Sequence, residues 1–288
     1  MADGTSGERK WLVETAWLAE RLSAPDIVVL DGTMHLPTAG RDARKEFLDG
    51  HIPGALFFDI DEISDRKSSL PHMLPPATEF ASHMRKLGIG DGSHVIVYDT
   101  LGLYSAARVW WMFRTMGFQN VAVLNGGLKK WKAEGRPIAD GAPPPRQPRH
   151  FTARFHAGLV RDKADVQAIV ASKSAQIVDA RSAARFKGAE SEPRKGLRSG
   201  HIPGSKNVPY ASLLAADGTM KPNGELAAIF AAAGVDVHGP IVTSCGSGVT
   251  AGVVALALAE LGREDVPVYD GSWTEWGHEA AGTAVETG

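Results

Sequence analysis

The sequence is poor in cysteine and has no long apolar run. Cys245 is the only cysteine among 288 residues, so an intramolecular disulfide or a four-cysteine zinc site cannot form within the chain. The longest apolar stretch, residues 249–261, is interrupted by a threonine, a glycine and a glutamate. It is also shorter than the roughly 20 residues that cross a bilayer. We therefore expect no membrane-spanning segment.

Charge of one sign is not in excess either. The chain has 31 basic and 33 acidic residues and a formal net charge of -2. This balance gives no electrostatic reason to expect a nucleic acid or an anionic membrane surface as a partner. The first ten residues are polar and contain no apolar segment of the kind found in secretory signals. We expect a reducing compartment, and by default the cytoplasm.

The sequence contains two copies of one unit. The tetrapeptide HIPG at residues 51–54 recurs at 201–204, the apolar run at 94–98 at 240–244, and the segment at 125–131 at 270–276. The matches keep their order, and their offsets of 150, 146 and 145 residues are nearly equal. A fixed period of this kind indicates a duplication. A length of 288 residues agrees with about two domains.

A proline- and glycine-rich stretch at residues 135–148 separates the copies and predicts an extended connection. We expect an N-terminal domain at residues 1–150, with this linker included, and a C-terminal domain at 151–288. Trp11–Leu22 and Asp165–Ala171 have helical spacing. Short apolar runs predict buried strands at 27–30, 95–98, 121–124, 176–179, 241–244 and 266–269.

Buried strands that alternate with helices predict an α/β fold in each copy, with a parallel sheet flanked by helices. In such a fold a site lies beyond the carboxyl ends of the strands. Cys245 directly follows a predicted strand and begins the loop CGSGVTA, which leads into an apolar helical pattern. The glycines at 246 and 248 let the backbone curl, so that successive N–H groups face the sulfur and stabilise a thiolate. The alternative is a small buried cysteine that serves packing alone.

Several motifs resemble the two-domain rhodanese superfamily, from about residue 10 to residue 277. The second copy contains the Cys245 loop, DAR, RFKG, EPR and GHIPG at 179–204, and YDGSWTEW at 269–276; the first contains HIPGALFFDID, SDR, HMLP and GLYSAARVWWMF. The resemblance implies tandem rhodanese-like domains. It also implies a sulfurtransferase that carries sulfane sulfur as a Cys245 persulfide and passes it to an acceptor. The first copy has Asp99 at the cysteine position, so it is expected to be non-catalytic.

The loop also bears on the sulfur donor. Relatives that use thiosulfate have a loop resembling CRKGVT, whose cations suit a dianion, whereas Gly246 and Ser247 are small and neutral here. This difference favours 3-mercaptopyruvate over thiosulfate as the sulfur donor. The reaction would then release pyruvate. By resemblance, Arg185 and Arg194 bind the donor, because a planar guanidinium suits a carboxylate. The loop residues Gly246, Gly248, Val249 and Thr250 complete the expected substrate-binding set.

The resemblance further implies that Asp61 and His72 of the first copy meet Ser247 in a serine-protease-like arrangement. Its role would be to orient the serine hydroxyl toward the donor carbonyl or to manage a proton. The alternative is that Asp61 caps a turn and His72 is an ordinary loop residue. His51 and His201 belong to the repeated turn and are expected to be structural. Most tryptophans are expected to serve core or interdomain packing.

The expected acceptor is a thiol, such as thioredoxin or a small dithiol, or cyanide. We expect no metal, because the ten histidines show no paired ligand spacing, and no cofactor. A cysteine phosphatase is disfavoured, because Ala251 stands where the C-x5-R loop needs its arginine. Another class of function stays open, in which the chain carries a persulfide or responds to redox state without turnover.

Overall fold

The computed structural model describes residues 9–288 and contains two parallel five-stranded sheets. Residues 1–8 lie outside this range. They include most of the N-terminal segment in which the sequence predicts no secretory signal. The first sheet consists of β1 (Leu12–Val13), β2 (Ile27–Asp31), β3 (Leu56–Phe57), β4 (His94–Tyr98) and β5 (Val121–Leu124). The second consists of β6 (Val160–Arg161), β7 (Gln176–Asp179), β8 (Lys206–Asn207), β9 (Ile241–Ser244) and β10 (Val268–Tyr269).

Both sheets have the same topology. The strand order is β1-β5-β4-β2-β3 in the first sheet and β6-β10-β9-β7-β8 in the second, and every pair is parallel. Parallel neighbours require crossover connections, which the helices supply. The matching strand order shows that the duplication seen in the sequence is also present in the structure. Each sheet is part of the predicted α/β fold.

Ten helices connect or flank the strands in the described part of the chain. In the N-terminal half they are α1 (Thr15–Ala19), α2 (Ala43–Asp49), α3 (Ala77–Lys86), α4 (Ala106–Thr115) and α5 (Gly127–Ala133). In the C-terminal half they are α6 (Lys163–Ser172), α7 (Ala183–Phe186), α8 (Asn223–Ala232), α9 (Ala251–Glu260) and α10 (Ser272–Trp276). Short 3-10 turns lie at Pro37–Ala39, Ala157–Leu159, Tyr210–Leu213 and Glu279–Ala281.

Most predicted elements are confirmed, with two differences. The helix predicted at Trp11–Leu22 is wrong at its beginning, because Leu12–Val13 pairs with β5 as an edge strand and only Thr15–Ala19 is helical. The strand predicted at 266–269 is shorter, since β10 begins at Val268. Pro267 precedes it and has no N–H for a ladder, although its carbonyl accepts a hydrogen bond from Thr243.

The two halves share one hydrophobic core. Helices α4 and α9 are almost entirely buried and pack against each other. A Cβ atom on Gly252 would lie 2.9 Å from the Ala107 carbonyl oxygen, so glycine permits this close approach. The indole of Trp111 donates to the Leu159 carbonyl at 2.9 Å, across the halves. The packing of α4 against α9 places the first turns of these two helices beside each other.

Both of these turns follow the central strand of their sheet. Asp99 comes directly after β4, and Cys245 directly after β9. Their loops therefore emerge at the carboxyl ends of the two sheets, which is the position expected for a site. No helix in residues 9–288 has both the length and the apolar character needed to cross a membrane.

Candidate active site

Cys245 lies at the base of a small pocket and is only 2% exposed. Its backbone is held by α10: its N–H donates to the Ser272 hydroxyl at 3.2 Å, and its carbonyl accepts from Trp273 N–H at 3.0 Å. The next carbonyl, that of Gly246, accepts from the N–H and the hydroxyl of Thr274. These bonds fix the backbone at the start of the loop and so position the Cys245 side chain, which also packs in the hydrophobic core.

The loop after Cys245 presents unpaired backbone donors. Gly248 has a φ of +75°, a left-handed conformation that favours glycine. None of the N–H groups of residues 246–250 donates to a protein acceptor in the described part of the chain. Together with the first turn of α9 they form the kind of concave backbone surface that binds anions.

The equivalent loop of the first domain shows such a surface with an anion bound to it. One carboxylate oxygen of Asp99 accepts from the N–H groups of Tyr104, Ser105 and Ala106 at 2.7–2.9 Å, and the other accepts from Leu101. The carboxylate occupies the position that the Cys245 side chain has in the second domain. The loop N–H groups of the first domain are therefore occupied by a side chain of the same loop, and this loop has no thiol.

The pocket above Cys245 has a volume of about 150 Å³. Drug-sized ligands occupy clefts of about 300–1,000 Å³, so this volume suits a small organic acid. It is lined by both domains: Leu36 and Tyr104 come from the first, and Ala180, Arg181, Ser182, Arg185, Arg194, Tyr210, Cys245, Gly246, Ser247, Val249 and Thr250 from the second. Both predicted donor-binding arginines therefore line the pocket, as do all predicted loop residues except Gly248.

The two pocket arginines have different partners. Arg185 is paired with the buried Glu192 at 2.5 Å and 3.2 Å. Glu192 in turn accepts from Arg181 at 2.8 Å, and Arg181 is paired with Asp179 at 2.6 Å. Arg194 has no carboxylate in hydrogen-bond contact among the described residues and donates to the His72 ring at 3.1 Å. Burial lowers the pKa of Arg194 from its ordinary value, and Cys245 and Tyr104 oppose that shift.

The structure brings Asp61 and His72 together, but not Ser247. Nδ1 of His72 lies 2.6 Å from Oδ1 of Asp61, a close contact without the alignment of a hydrogen bond. The contact lowers the pKa of Asp61. Nε2 accepts from Arg194, so the ring proton of a neutral His72 lies on Nδ1. Among the described residues Ser247 makes no hydrogen bond to His72, and the expected three-residue arrangement is not assembled.

Sequence reasoning missed several pocket residues. Tyr104 and Tyr210 face each other edge to face at 5.5 Å, one from each domain. Burial and the nearby Cys245 raise the pKa of Tyr104 well above its ordinary value, which keeps the phenol protonated as a donor. Alignment of the two loops would have found this residue, because Tyr104 corresponds to Thr250. Glu192 was read only as part of a motif, since its pairing with Arg185 is visible only in three dimensions.

The protein has two homologous α/β domains in tandem, each with a parallel sheet. In one domain the anion-binding loop contains a cysteine, and in the other it contains an aspartate, so that the protein has a single thiol site. The sequence profile of the rhodanese-like domain matches residues 14–134 and 162–279. The chain belongs to the rhodanese family.

Known relatives cover nearly the whole chain. The 3-mercaptopyruvate sulfurtransferase of Homo sapiens is 45% identical over 271 residues, which cover 92% of this chain and 91% of the relative. The thiosulfate sulfurtransferase of Bos taurus is 44% identical over 276 residues, with coverages of 93% and 92%. The crystal structure of SseA from Escherichia coli, described among the 3-mercaptopyruvate sulfotransferases, is 46% identical and has a TM-score of 0.84. It covers 92% of this chain and 99% of its own.

Within residues 9–288 no cluster of three or more histidine, cysteine, aspartate or glutamate side chains has the geometry of a metal site. Several buried histidines instead have backbone or aromatic partners. His51 and His201 each contact a backbone carbonyl at 2.8 Å and stack on Phe47 and Phe186, which agrees with a structural role.

Proposed function

We propose that this protein transfers sulfane sulfur from 3-mercaptopyruvate, through a persulfide on Cys245, to a thiol acceptor or cyanide, and releases pyruvate. The observation that carries the proposal is the position of the only thiol. Cys245 lies at the base of a small pocket, beside unpaired loop N–H groups and below two arginines. This combination suits a thiolate nucleophile and a small carboxylate substrate.

The reaction divides into two displacements. In the first, the Cys245 thiolate attacks the donor sulfur, the carbon–sulfur bond breaks, and its electron pair leaves as the enolate of pyruvate. The proton of the donor thiol ends on that carbon, and the outer sulfur remains on Cys245 as a persulfide. In the second, an acceptor thiolate or cyanide attacks the outer sulfur, and the Cys245 thiolate leaves. The loop N–H groups would stabilise both the thiolate and the persulfide anion.

Charge in the pocket supports the choice of donor. Glu192 pairs with Arg185 and offsets its charge, whereas the hydrogen-bonding partner of Arg194 is the His72 ring and not a carboxylate. The loop positions 246 and 247 add no cation. Such a pocket suits the single carboxylate of 3-mercaptopyruvate better than the two charges of thiosulfate. Relatives of both names are similarly close in sequence, so the local charge is the better guide.

We assign Ser247, His72 and Asp61 to the donor half-reaction. Asp61 orients the His72 ring, and His72 contacts Arg194, which would bind the donor carboxylate. Ser247 lines the pocket next to Cys245 and could polarise the donor carbonyl. Gly246, Gly248, Val249 and Thr250 shape the loop around the reacting sulfur. In this assignment His72 acts on the donor through Arg194, by orienting the guanidinium that would bind the carboxylate.

The acceptor we propose is a thiol, such as thioredoxin or a small dithiol, with cyanide as an artificial or alternative acceptor. A resolving thiol has to come from another molecule, because Cys245 is the only cysteine. We also propose a cytoplasmic location, since acceptor thiols are kept reduced there. Recovery of the full-length protein in an organelle fraction would contradict the location.

The test compares two donors with one acceptor. We expect kcat/KM for 3-mercaptopyruvate to exceed that for thiosulfate by more than about tenfold, which is about 1.4 kcal/mol of discrimination. A preference for thiosulfate would overturn the donor assignment. Formation of a persulfide without transfer to any acceptor would instead indicate a sulfur carrier.

A further inference from the structure

We infer that Arg108, a residue of the non-catalytic domain, is a positioning residue for sulfur transfer. It lies on α4, its side chain is fully buried, and its guanidinium reaches the catalytic loop across the domain interface. This inference rests on the proposed function and adds to it the residue through which the first domain acts on the second.

One guanidinium connects three segments of the chain. Nη1 donates to Oδ1 of Asp270 at 2.6 Å and to the Gly248 carbonyl at 3.2 Å, and Nη2 donates to the His72 carbonyl. The planar group also stacks on Trp111 at 4.4 Å. A fork of several donors fixed in one plane is specific to arginine, so lysine cannot reproduce this set of bonds.

Asp270 completes the connection from the other side. Its second carboxylate oxygen accepts from the Leu74 N–H at 2.7 Å, two residues after His72. The segment around His72 is therefore held at two points, by Arg108 and by Asp270. His72 has a φ of +62°, which is unfavourable for a residue with a side chain and needs such support. The pair thus sets where the His72 ring lies against Arg194.

The same pair determines the shape of the cysteine loop. A Cβ atom on Gly248 would lie 2.9 Å from Nη1 of Arg108 and 2.7 Å from the Asp270 carbonyl oxygen. The loop therefore packs directly on the Arg108–Asp270 pair. Because Nη1 also binds the Gly248 carbonyl, movement of Arg108 would turn the peptide units whose N–H groups surround Cys245. Donor binding at Arg185 would be less affected, since Arg185 is held by Glu192 within the second domain.

The chain offers a matched control on the same helix. Arg114 also lies on α4 and is also buried, and it too crosses the interface: it donates to the Glu264 carbonyl at 2.9 Å and stacks on Trp11 and Trp110. It does not contact the cysteine loop or His72. Arg108→Lys and Arg114→Lys therefore make the same chemical change at the interface, and only the first disturbs the site.

The experiment measures kcat and KM for 3-mercaptopyruvate in both variants, in His72→Ala and in the double variant with Arg108→Lys. We expect Arg108→Lys to lower kcat by about 10- to 100-fold, the scale of a small misplacement of reacting groups, with less than about a threefold change in KM. Arg114→Lys should keep the wild-type kcat. In the His72→Ala background, the further loss from Arg108→Lys should be clearly smaller, because part of its effect passes through His72.

Equal kcat in the two lysine variants would overturn the inference, and losses that multiply fully in the double variant would overturn the route through His72. If Arg108→Lys fails to fold, the double variant Arg108→Met/Asp270→Asn serves instead. It removes both buried charges together, so that no unpaired charge is left in the interior. A wild-type kcat in this double variant would also contradict the inference.

The rate of Cys245 alkylation by iodoacetamide gives a readout that does not depend on the donor. We expect this rate to fall in Arg108→Lys but not in Arg114→Lys. A wild-type protein that releases no pyruvate would refute the proposed function instead.

Discussion

At the residue scale, the environment of each charged side chain matters more than its identity. Arg185 and Arg194 both line the pocket, yet Arg185 is bound by a buried carboxylate and Arg194 by a histidine ring. Asp99 and Cys245 occupy equivalent loops, yet the Asp99 carboxylate accepts from four N–H groups of its loop, whereas the N–H groups that follow Cys245 have no protein acceptor among the described residues. Function follows from these differences between otherwise similar groups.

The two pocket arginines give the first prediction. Arg185→Ala and Arg194→Ala should each lower kcat/KM for 3-mercaptopyruvate by about 10- to 100-fold, because a hydrogen bond to a charged group contributes about 1.5–3 kcal/mol. Steady-state pyruvate release measures the effect. Arg21→Ala is the control, since Arg21 pairs with Glu20 on the surface. Unchanged kcat/KM in both pocket variants would show that neither arginine binds the donor.

Sequence alone identifies the residues that chemistry marks, but not their partners. Cys245 follows from its glycine loop, and the pocket arginines follow from family motifs. Glu192 and Asp270 were not recognised as partners of Arg185 and Arg108, because these pairs join positions that only folding brings together. Of the three residues expected to meet, His72 contacts Asp61, but its ring accepts a hydrogen bond from Arg194 rather than from Ser247.

At the element scale, the proposed donor specificity and the proposed thiol reactivity both depend on the loop between β9 and α9. A Cβ atom on Gly246 would lie 3.0 Å from Nη2 of Arg185, so glycine lets the guanidinium approach the loop. Any larger residue here moves the end of that flexible side chain. The small residues at 246 and 247 therefore do two things: they leave the loop neutral, and they leave room for Arg185.

Exchange of these two residues is the second prediction. Gly246→Arg/Ser247→Lys adds two cations beside Cys245 and displaces Arg185. We expect the ratio of kcat/KM for thiosulfate to that for 3-mercaptopyruvate to rise by at least about tenfold, because added positive charge favours the dianion. The two donors are compared at low salt. The variant Gly246→Ala/Ser247→Ala, which adds bulk without charge, should show no such gain; an equal gain there would contradict the charge argument.

The contact between α4 and α9 gives the third prediction. Gly252→Val should destabilise the protein by about 1–3 kcal/mol through overpacking against Ala107, and should lower activity by separating the two helices. Gly224→Ala is a matched control at the second residue of α8, where an added Cβ meets no atom within 4 Å. It should be neutral or stabilise by roughly 0.5–1 kcal/mol. Thermal unfolding distinguishes them, and equal effects would refute the packing argument.

Strands of four or five residues are predictable from the sequence, whereas the ten-residue helices α3 and α8 are not among the predicted elements. The central strands are four or five residues long, and the prediction gives each of them to within one residue. The two-residue edge strands, such as β3 and β8, were missed because a single pair of residues has no period. Leu12–Val13 was assigned to a helix, since its pairing with β5 depends on residues more than a hundred positions away.

At the scale of the whole molecule, the two copies of the duplicated domain contribute different residues to the candidate site. The second copy contributes Cys245 and the arginines that line the pocket, and the first contributes His72, Tyr104 and the buried Arg108. Helices α4 and α9 pack against each other in a hydrophobic core to which both halves contribute residues. Stability of the first domain therefore bears directly on activity in the second.

Asp31 provides the fourth prediction, which concerns stability and pH. Burial at the end of β2 raises the pKa of Asp31 from 3.8 to about 6, although hydrogen bonds from Thr33 oppose the shift. The folded state then holds the proton more tightly than the unfolded state, so this group's contribution falls as pH rises between about 4 and about 6. Asp31→Asn should remove this loss and gain up to about 3 kcal/mol at pH 7 relative to pH 4.

Chemical denaturation of wild type and Asp31→Asn across this pH range measures the gain. Asp140→Asn changes an exposed aspartate in the same domain and serves as the control. A difference between wild type and Asp31→Asn that does not vary with pH would show that Asp31 titrates alike in the folded and unfolded states.

The central claim is that the sole thiol carries the transferred sulfur, and intact-protein mass spectrometry after incubation with 3-mercaptopyruvate tests it most directly. Without acceptor, we predict a mass increase of about 32 Da, one sulfur atom on Cys245, and about one equivalent of pyruvate released per chain. Addition of a dithiol should return the original mass. Cys245→Ser should show neither adduct nor pyruvate. Pyruvate release at the wild-type rate by Cys245→Ser, or turnover without a persulfide on Cys245, would contradict the account.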